Sequence, residues 1–202
     1  MSGQQLLIAT TNAGKLRELR SLLLGLPVTL LSLADFPDIE SVAETGSTFA
    51  ENASLKASGY ALQARVLTLA DDSGLAVDEL KGRPGVHSAR YVYPSASYPE
   101  RVASLLAELE SVAPGTRAAR FICAMAVASG GGEILFETEK SCEGHIATAP
   151  RGTEGFGYDP IFIPDGHNQT FAELPAEIKN QISHRGLALR AVREFIGSLT
   201  VP

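Results

Sequence analysis

The sequence predicts an α/β fold. Over the first 75 residues, apolar runs of strand length alternate with helical runs, as in proteins whose sheet is covered by helices. Further along, three consecutive glycines separate two strand-like runs and indicate an antiparallel hairpin. The chain has 202 residues, of which 45% are hydrophobic and 20% charged, so it can bury a substantial core. We therefore expect residues 1–202 to form a single domain, with two lobes.

The first part of the chain has the order β-α-β-α-β, which favours right-handed crossovers. Thr11 or Asn12 is the expected N-cap of the first helix, and Thr48 with Glu51 matches a capping box for the second. The predicted elements are a strand at 6–9, a helix at 15–24, a strand at 28–33, a helix at 48–65 and a strand at 66–70.

After residue 75 the regular alternation of strand and helix signals ends. Gly130, Gly131 and Gly132 form the predicted hairpin turn. A break at Ser183 separates the last two predicted helices. The predicted elements are a helix at 98–112, strands at 119–129, 133–140 and 142–147, a short helix from 175 and a last helix at 185–199.

Charge and hydropathy exclude several classes of partner. The net charge is −6 and no block of Lys or Arg occurs, which argues against binding of duplex nucleic acid. No apolar run reaches the roughly 18 residues that a membrane span needs. No basic residue precedes the short N-terminal apolar run, so we expect no signal peptide and a cytoplasmic protein. Cys123 and Cys142 lie in apolar or alternating stretches and are expected to be buried, reduced thiols.

Two adjacent acidic residues follow the predicted strand at 66–70. Asp71 and Asp72 precede Ser73 and Gly74, so we expect the strand to end there in a turn. A carboxylate at a strand tip can hold a divalent cation and activate water. Because neighbouring side chains of an extended segment point to opposite sides, one Asp should face a ligand and the other should support the turn. Plain β-turn chemistry is the alternative interpretation.

A second candidate site is the loop at 10–15, Thr-Thr-Asn-Ala-Gly-Lys, which leads into the first helix. It lacks the glycine spacing of a P-loop, but a helix N-terminus presents free amides to phosphate and Lys15 adds a positive charge. An ordinary capped helix is the alternative. Lys56 lies one helical turn beyond Asn52, on a face from which it could reach a phosphate. Glu44 lies in an acidic loop, where simple surface exposure is the alternative.

Two segments near the C-terminus complete the candidates. Phe156-Gly-Tyr-Asp159 places aromatic rings beside glycine, which suits stacking on a planar base, and Asp159 is held extended by the following proline. Ser183 can cap the last helix, with His184 and Arg185 projecting toward a ligand. A helix start with solvated basic residues is the alternative.

Taken together, these segments resemble the inosine triphosphate pyrophosphatase family, which hydrolyses non-standard purine nucleoside triphosphates. The resemblance covers nearly the whole chain and depends on several motifs in the same order. These motifs lie at 9–16, 44–53 with Lys56, 70–78, 85–91, 155–162 and 182–186.

The resemblance implies an elongated α/β fold of two lobes around a mixed sheet, a nucleotide in the cleft between lobes, and a homodimer. It implies Mg²⁺-dependent hydrolysis of dITP, ITP or XTP to the monophosphate and pyrophosphate. Asp72 would be the general base and a metal ligand, with Glu44 as a second metal ligand. The implied substrate contacts are Thr10, Thr11, Asn12, Ala13, Gly14, Lys15, Lys56, Ser73, Phe156, Gly157, Tyr158, Asp159, Lys179, His184 and Arg185.

The expected reaction is attack on the α-phosphorus by water that Asp72 activates. Arg185 carries only donors, so it should favour a 6-oxo purine over adenine, whose 6-amino group is also a donor. Three alternatives stay open: a pyrophosphatase for other modified nucleotides, a nucleotide sensor without turnover, and a nucleic-acid-binding protein. The acidic balance counts against the last.

Overall fold

The computed structural model describes residues 4–199, and over this range the chain forms a sheet with flanking helices. The strands are β1 (Gln4–Ile8), β2 (Val28–Ser32), β3 (Leu67–Val77), β4 (Ala118–Ala128), β5 (Ile134–Ile146) and β6 (Phe162–Pro164). The α-helices are α1 (Ala13–Leu23), α2 (Phe49–Ala64), α3 (Tyr98–Glu108), α4 (Ala176–Ile182) and α5 (His184–Leu199).

The strands form one sheet in the order β2-β1-β3-β4-β5-β6. Strand β1 is parallel to both of its neighbours, with Leu6 opposite Leu30 of β2 and Leu67 of β3. Strand β6 is antiparallel to β5. A tight turn joins β4 to β5, where the Ser129 amide donates to the Glu133 carbonyl at 2.8 Å. The sheet is therefore mixed, and the predicted α/β class is confirmed.

The chain divides into two compact units. Unit 1 comprises the chain up to Asp72, Cys123–Lys140 and the chain from Arg185, and unit 2 comprises Ser73–Ile122 and Ser141–His184. Each unit has its own apolar core. The core of unit 1 includes Leu6, Ile8, Leu19, Leu23, Leu69, Met125, Leu189 and Ile196. The core of unit 2 includes Leu75, Leu105, Leu109, Phe121, Ile161, Phe162 and Phe171.

Strand β3 does not end at the acidic residues. The expected turn after Asp71 and Asp72 is wrong, because the extended backbone continues through them to Val77. Both carboxylates are buried, and after the half-buried Ser73 the rest of the strand, residues 74–77, is buried as well. The amide of Leu75 donates to the Ser88 hydroxyl at 3.0 Å. Local turn preference is thus overridden by burial of the segment.

Two other boundaries differ from the prediction. The two strands expected at 133–140 and 142–147 are one strand, β5, that runs from Ile134 to Ile146 without a break. Helix α3 ends at Glu108, four residues before the predicted end. The Arg117 guanidinium donates to the carbonyls of Leu109 at 2.8 Å and Val112 at 3.0 Å, which stabilises the non-helical turn there.

Both predicted helix caps are confirmed. The Asn12 side chain accepts from the Lys15 amide at 3.0 Å, so α1 begins at Ala13. Thr48 and Glu51 form a reciprocal capping box at the start of α2. Ser183 separates α4 from α5, since its backbone is extended while its amide still donates to the Lys179 carbonyl at 2.8 Å.

The two cysteines are buried free thiols, as predicted. Burial raises the pKa of both Cys123 and Cys142 to about 12, so neither is a reactive thiolate near neutral pH. Over residues 4–199, no helix is long and apolar enough to cross a bilayer.

Gly144 of β5 offers a test of packing in unit 2. A Cβ there would collide with the backbone carbonyl of Ile163 and would lie 2.8 Å from the Phe162 ring. Gly144→Ala should therefore lower the free energy of unfolding by about 1–3 kcal/mol, as overpacking does. The control is Gly115→Ala, where a Cβ meets nothing within 4 Å, and its effect should stay within about 0.5 kcal/mol. Urea unfolding of both variants measures the difference, and equal stabilities would contradict the packing.

Candidate functional site

Asp71 and Asp72 of β3 form an acid pair whose side chains point in opposite directions. Adjacent residues of a strand face opposite sides of the sheet, and the contacts of each carboxylate confirm that expectation. The Asp71 carboxylate contacts Lys15 and Arg185, whereas that of Asp72 contacts Lys56. The acid pair therefore supports two separate groups of charged residues within unit 1.

The first group surrounds Asp71. Its side chain is 0% exposed, and its Oδ2 lies 2.8 Å from the Lys15 ammonium and 3.8 Å from Nε of Arg185. Arg185 also pairs with Glu18 of α1, at 2.6 Å. Burial by itself would raise the pKa of Asp71, but the charges of Lys15 and Arg185 hold it well below its ordinary value. Asp71 is thus a permanently charged anchor for two cations.

The second group surrounds Asp72. Its Oδ1 lies 3.3 Å from the Lys56 ammonium, and its Oδ2 accepts a hydrogen bond from the Asn52 amide at 3.2 Å. Lys56 also pairs with Glu44 at 2.8 Å, so one ammonium contacts two carboxylates. Burial raises the pKa of Asp72 against the opposing charges of Lys56 and Lys15. Asp72 is therefore the more basic member of the acid pair.

Lys56 keeps its charge despite its position. Burial lowers its pKa, but the neighbouring carboxylates of Asp71, Asp72 and Glu44 outweigh this and raise it. Helix α2 places Asn52 and Lys56 four residues apart, on one face, and both side chains are buried. The helix thus delivers one neutral donor and one cation to the same carboxylate.

The loop that precedes α1 is organised by its own side chains. The Asn12 amide donates to the Thr10 hydroxyl at 3.2 Å, and Asn12 in turn caps the helix. Thr11 and Ala13 are exposed, whereas Gly14 and Lys15 are half-buried. The backbone amides of a helix's first turn have no acceptor within the helix, so the loop could receive an anion.

In unit 2, Asp159 and Lys179 form a buried ion pair at 2.6 Å. The Asp159 carboxylate also accepts from the Phe156 amide at 2.8 Å, which fixes the loop that carries this ring. Gly155 has a φ of +74°, and a Cβ there would collide with the same carboxylate. The Lys179 ammonium lies 5.2 Å from the centroid of the Phe156 ring. Half-buried Phe156 is therefore held by an ion pair beneath it.

The other predicted residues of unit 2 take mainly packed positions. Tyr158 is buried and donates to the Ser88 carbonyl at 3.1 Å. Gly157 has a φ of +68°. His184 is buried and stacks on Phe121 with ring centroids 4.7 Å apart, so it does not project into solvent as a helix start would. Ser73 is half-buried in β3.

Two residues of the candidate site, Asn52 and Glu18, are not predicted from the sequence. Asn52 lies four residues before Lys56 on α2, and this offset is the signal in the sequence that both side chains share one face. Glu18 lies three residues after Lys15 on α1, which is likewise one helical face, but nothing in the chain identifies Arg185 as its partner. Arg185 was expected to present its donors to a base; its guanidinium lies against Glu18 and Asp71, and contact with a base stays a prediction.

The unit 1 arrangement combines the elements that phosphoryl chemistry needs. It has a buried, basic carboxylate and several cations that can share the charge of a polyphosphate. Glu44 and Asp72 are hard oxygen donors suited to Mg²⁺. No group of three or more His, Cys, Asp or Glu side chains that could hold a metal occurs among residues 4–199.

The comparisons with known proteins agree with this chemistry. A protein from Geobacillus kaustophilus named dITP/XTP pyrophosphatase is 51% identical over 95% of this chain and 93% of its own. One of the same name from Geobacter sulfurreducens is 51% identical over 96% of each chain. The solved structure of a HAM1 protein from Coxiella burnetii has a TM-score of 0.87 and 38% identity, covering 96% of this chain and 99% of its own.

A nucleoside-triphosphatase, also described as a dITP/XTP pyrophosphatase, has been solved from Mycobacterium abscessus. It has a TM-score of 0.73 and 43% identity, covering 94% of this chain and 98% of its own. The family model for the Ham1 family matches residues 6–195. The match spans both units and all the site residues described above, and on this ground the chain belongs to the Ham1 family.

Proposed function

We propose that this protein hydrolyses non-standard purine nucleoside triphosphates, namely dITP, ITP and XTP, to the monophosphate and pyrophosphate. The observation that carries the proposal is the buried Asp72 carboxylate, which lies between the Lys56 ammonium and the Asn52 amide. The similarity of nearly the whole chain to proteins named dITP/XTP pyrophosphatase supports the substrate class. The role would be to remove these nucleotides from the cellular pool.

Asp72 is the proposed general base. A carboxylate whose pKa is raised by burial is a better proton acceptor than an ordinary one. Asn52 holds one carboxylate oxygen by a hydrogen bond, which restricts its rotation. Asp72 accepts a proton from water, the water oxygen bonds to the α-phosphorus, and the bond from that phosphorus to the bridging oxygen of the β-phosphate breaks. Pyrophosphate leaves with the electron pair of that bond.

Lys15, Lys56 and the loop at 10–15 would bind the phosphates. The charged side chains of the two groups sum to −1, because Lys15, Lys56 and Arg185 face Glu18, Glu44, Asp71 and Asp72. A triphosphate would meet a slightly negative site, so these cations alone do not neutralise it. This balance favours a divalent cation that enters with the nucleotide.

Mg²⁺ is the proposed cofactor, and the residues fit it. Mg²⁺ is commonly bound through one or two carboxylates together with substrate phosphates and water, rather than by a cage of protein ligands. Asp72 and Glu44 would hold it, since both contact the same Lys56 ammonium and offer oxygen donors. When bound, Mg²⁺ neutralises phosphate charge and polarises the phosphoryl oxygens.

In unit 2, Phe156 is the proposed stacking platform for the purine base. Its ring is half-buried, and the Asp159–Lys179 ion pair fixes the backbone beside it. A large, rigid ring placed in this way suits an aromatic ligand. Gly157, Tyr158, Asp159, Lys179, Ser73 and His184 are proposed to shape or contact this site. Arg185 is proposed to favour a 6-oxo base.

The remaining proposals concern the location, oligomeric state and partners of the protein. We propose a cytoplasmic homodimer that binds small nucleotides and neither nucleic acid nor membranes. The net charge of −6 supports the exclusion of nucleic acid, because non-specific binding to DNA depends on clustered positive charge.

The first test is release of pyrophosphate from dITP, XTP, dGTP and dATP, each measured with Mg²⁺ and with excess EDTA. We expect fast turnover of dITP and XTP, slower turnover of the two standard purines by at least about tenfold, and loss of activity in EDTA. Binding of dITP without turnover would identify a sensor instead. Faster turnover of dUTP or dTTP than of dITP would indicate a different class of modified nucleotide.

Asp72→Asn tests the general base. The amide is close in shape to the carboxylate but cannot accept the proton, so kcat for dITP should fall by about 10²- to 10⁴-fold. Thermal unfolding should show that the variant is folded. Asp165→Asn, at an exposed position, is the matched control and should keep full activity. Orthophosphate as the first product of the unaltered protein would contradict attack at the α-phosphorus.

Phe156→Ala tests the base site separately from the phosphate site. Loss of stacking should raise KM for dITP by about 5- to 150-fold, since a base–aromatic stack contributes roughly 1–3 kcal/mol. Inhibition by pyrophosphate, which has no base, should be unchanged. A parallel loss of pyrophosphate affinity would show that Phe156 does not act through the base.

A further inference from the structure

Lys15 is a flexible side chain that is held in one position. Four methylene groups separate its ammonium from the backbone, and the free side chain loses rotamer entropy when it is fixed. The structure fixes it by an ion pair with Asp71 at 2.8 Å, in which the side chain of Lys15 is 14% exposed and that of Asp71 is 0% exposed. An ammonium has three donors, so a contact with Asp71 does not exhaust its capacity to bind an anion.

The backbone around both members of the pair is tied together. The Ala9 amide, at the end of β1, donates to the Leu69 carbonyl of β3 at 2.8 Å. From Ala9 the backbone continues through the loop to Lys15, and from Leu69 it continues for two residues along β3 to Asp71. Asn12 caps α1 at the Lys15 amide, which fixes the start of the side chain. The backbone position of Lys15 relative to β3 is therefore fixed by two contacts, the hydrogen bond between Ala9 and Leu69 and the Asn12 cap.

Asp71 also separates two cations. Its Oδ2 is within 4 Å of both Lys15 and Arg185. Without the carboxylate, the ammonium and the guanidinium would repel each other, and Lys15 would lose the ion pair that fixes the direction of its side chain. Helix α1 also holds the second cation, because its Glu18 pairs with Arg185 at 2.6 Å.

We propose that Asp71 is a positioning residue that aims the Lys15 ammonium at the phosphates of the substrate and acts on the reaction only through Lys15. The proposal rests on the proposed function, since it assumes that Lys15 binds phosphate. It assigns different roles to the two members of the acid pair: Asp72 accepts a proton from the reacting water, and Asp71 positions the Lys15 ammonium.

The competing explanation is that Asp71 contributes only to stability. A buried carboxylate with cationic partners can be purely structural, and removal of one partner from such a pair is strongly destabilising. A structural role predicts a smaller folded fraction, with the folded molecules retaining their affinity for phosphate. A positioning role predicts weaker binding of phosphate by molecules that are folded.

The experiment is a double-mutant cycle with Asp71→Asn, Lys15→Met and the double variant. For each protein, kcat and KM for dITP are measured with Mg²⁺, together with the inhibition constant of pyrophosphate and the midpoint of thermal unfolding. Pyrophosphate is the probe because it lacks a base. Glu143→Gln is the control, since it breaks an ion pair with Arg120 at 2.9 Å in unit 2 and should change none of the kinetic constants.

We expect Asp71→Asn to lower kcat/KM by up to about 10²-fold, the loss that a misplaced group produces, and to weaken inhibition by pyrophosphate. In the Lys15→Met background, Asp71→Asn should change neither constant by more than about twofold. If Asp71→Asn alone does not fold, the comparison of Lys15→Met with the double variant can still overturn the inference, because a further loss of kcat/KM there would show that Asp71 acts by a route other than Lys15. The double variant carries one cation fewer beside the missing carboxylate, which favours its folding.

A full further loss in the Lys15→Met background would overturn the inference and show that Asp71 acts by another route, such as through Arg185. Unchanged kinetic constants in folded Asp71→Asn would also overturn it and leave a structural ion pair. Absence of turnover in the unaltered protein would refute the proposed function as well, which distinguishes that failure from a failure of the inference alone.

Discussion

A buried carboxylate needs a cation, and strand β3 brings two successive carboxylates, Asp71 and Asp72, into the interior. An isolated charge in a medium of low dielectric is very unfavourable, so each member of the acid pair must be matched by positive charge and hydrogen bonds. The matching partners come from three helices: Lys15 from α1, Lys56 from α2 and Arg185 from α5. The strand thereby determines which residue of each helix must face it, and the chemistry of unit 1 follows from that pairing.

The two carboxylates differ in character although they are the same residue type. Asp71 has a lowered pKa because two cations contact one of its oxygens. Asp72 has a raised pKa because burial outweighs a longer contact with Lys56. Environments that push the pKa values of neighbouring groups apart are a common way of dividing roles in a catalytic site. This division supports the assignment of the base to Asp72 and of the anchor to Asp71.

Local signals in the sequence were enough to predict most of the elements. Asn12 and Thr48 cap their helices as the pattern of polar residues predicts, because a cap depends on atoms within four residues. The turn expected at Asp71–Gly74 failed for the opposite reason. Asp-Ser-Gly favours a turn in isolation, but here the cations that stabilise an extended, buried segment come from distant parts of the chain. Glu18 was missed on the same ground, since its partner lies 167 residues away.

The alternation of the acid pair restricts how the chain can change in length. Strand β3 is aligned with β1 through Leu6 and Leu67, Leu7 and Thr68, and Ile8 and Leu69. A deletion or insertion of a single residue between these pairs and Asp71 would exchange the two faces. One helix would then meet Ala70 or Ser73 in place of an acid, and its lysine would lose the charge of that carboxylate. Relatives that conserve this chemistry should therefore place length changes outside this short stretch, whatever else in their sequences has diverged.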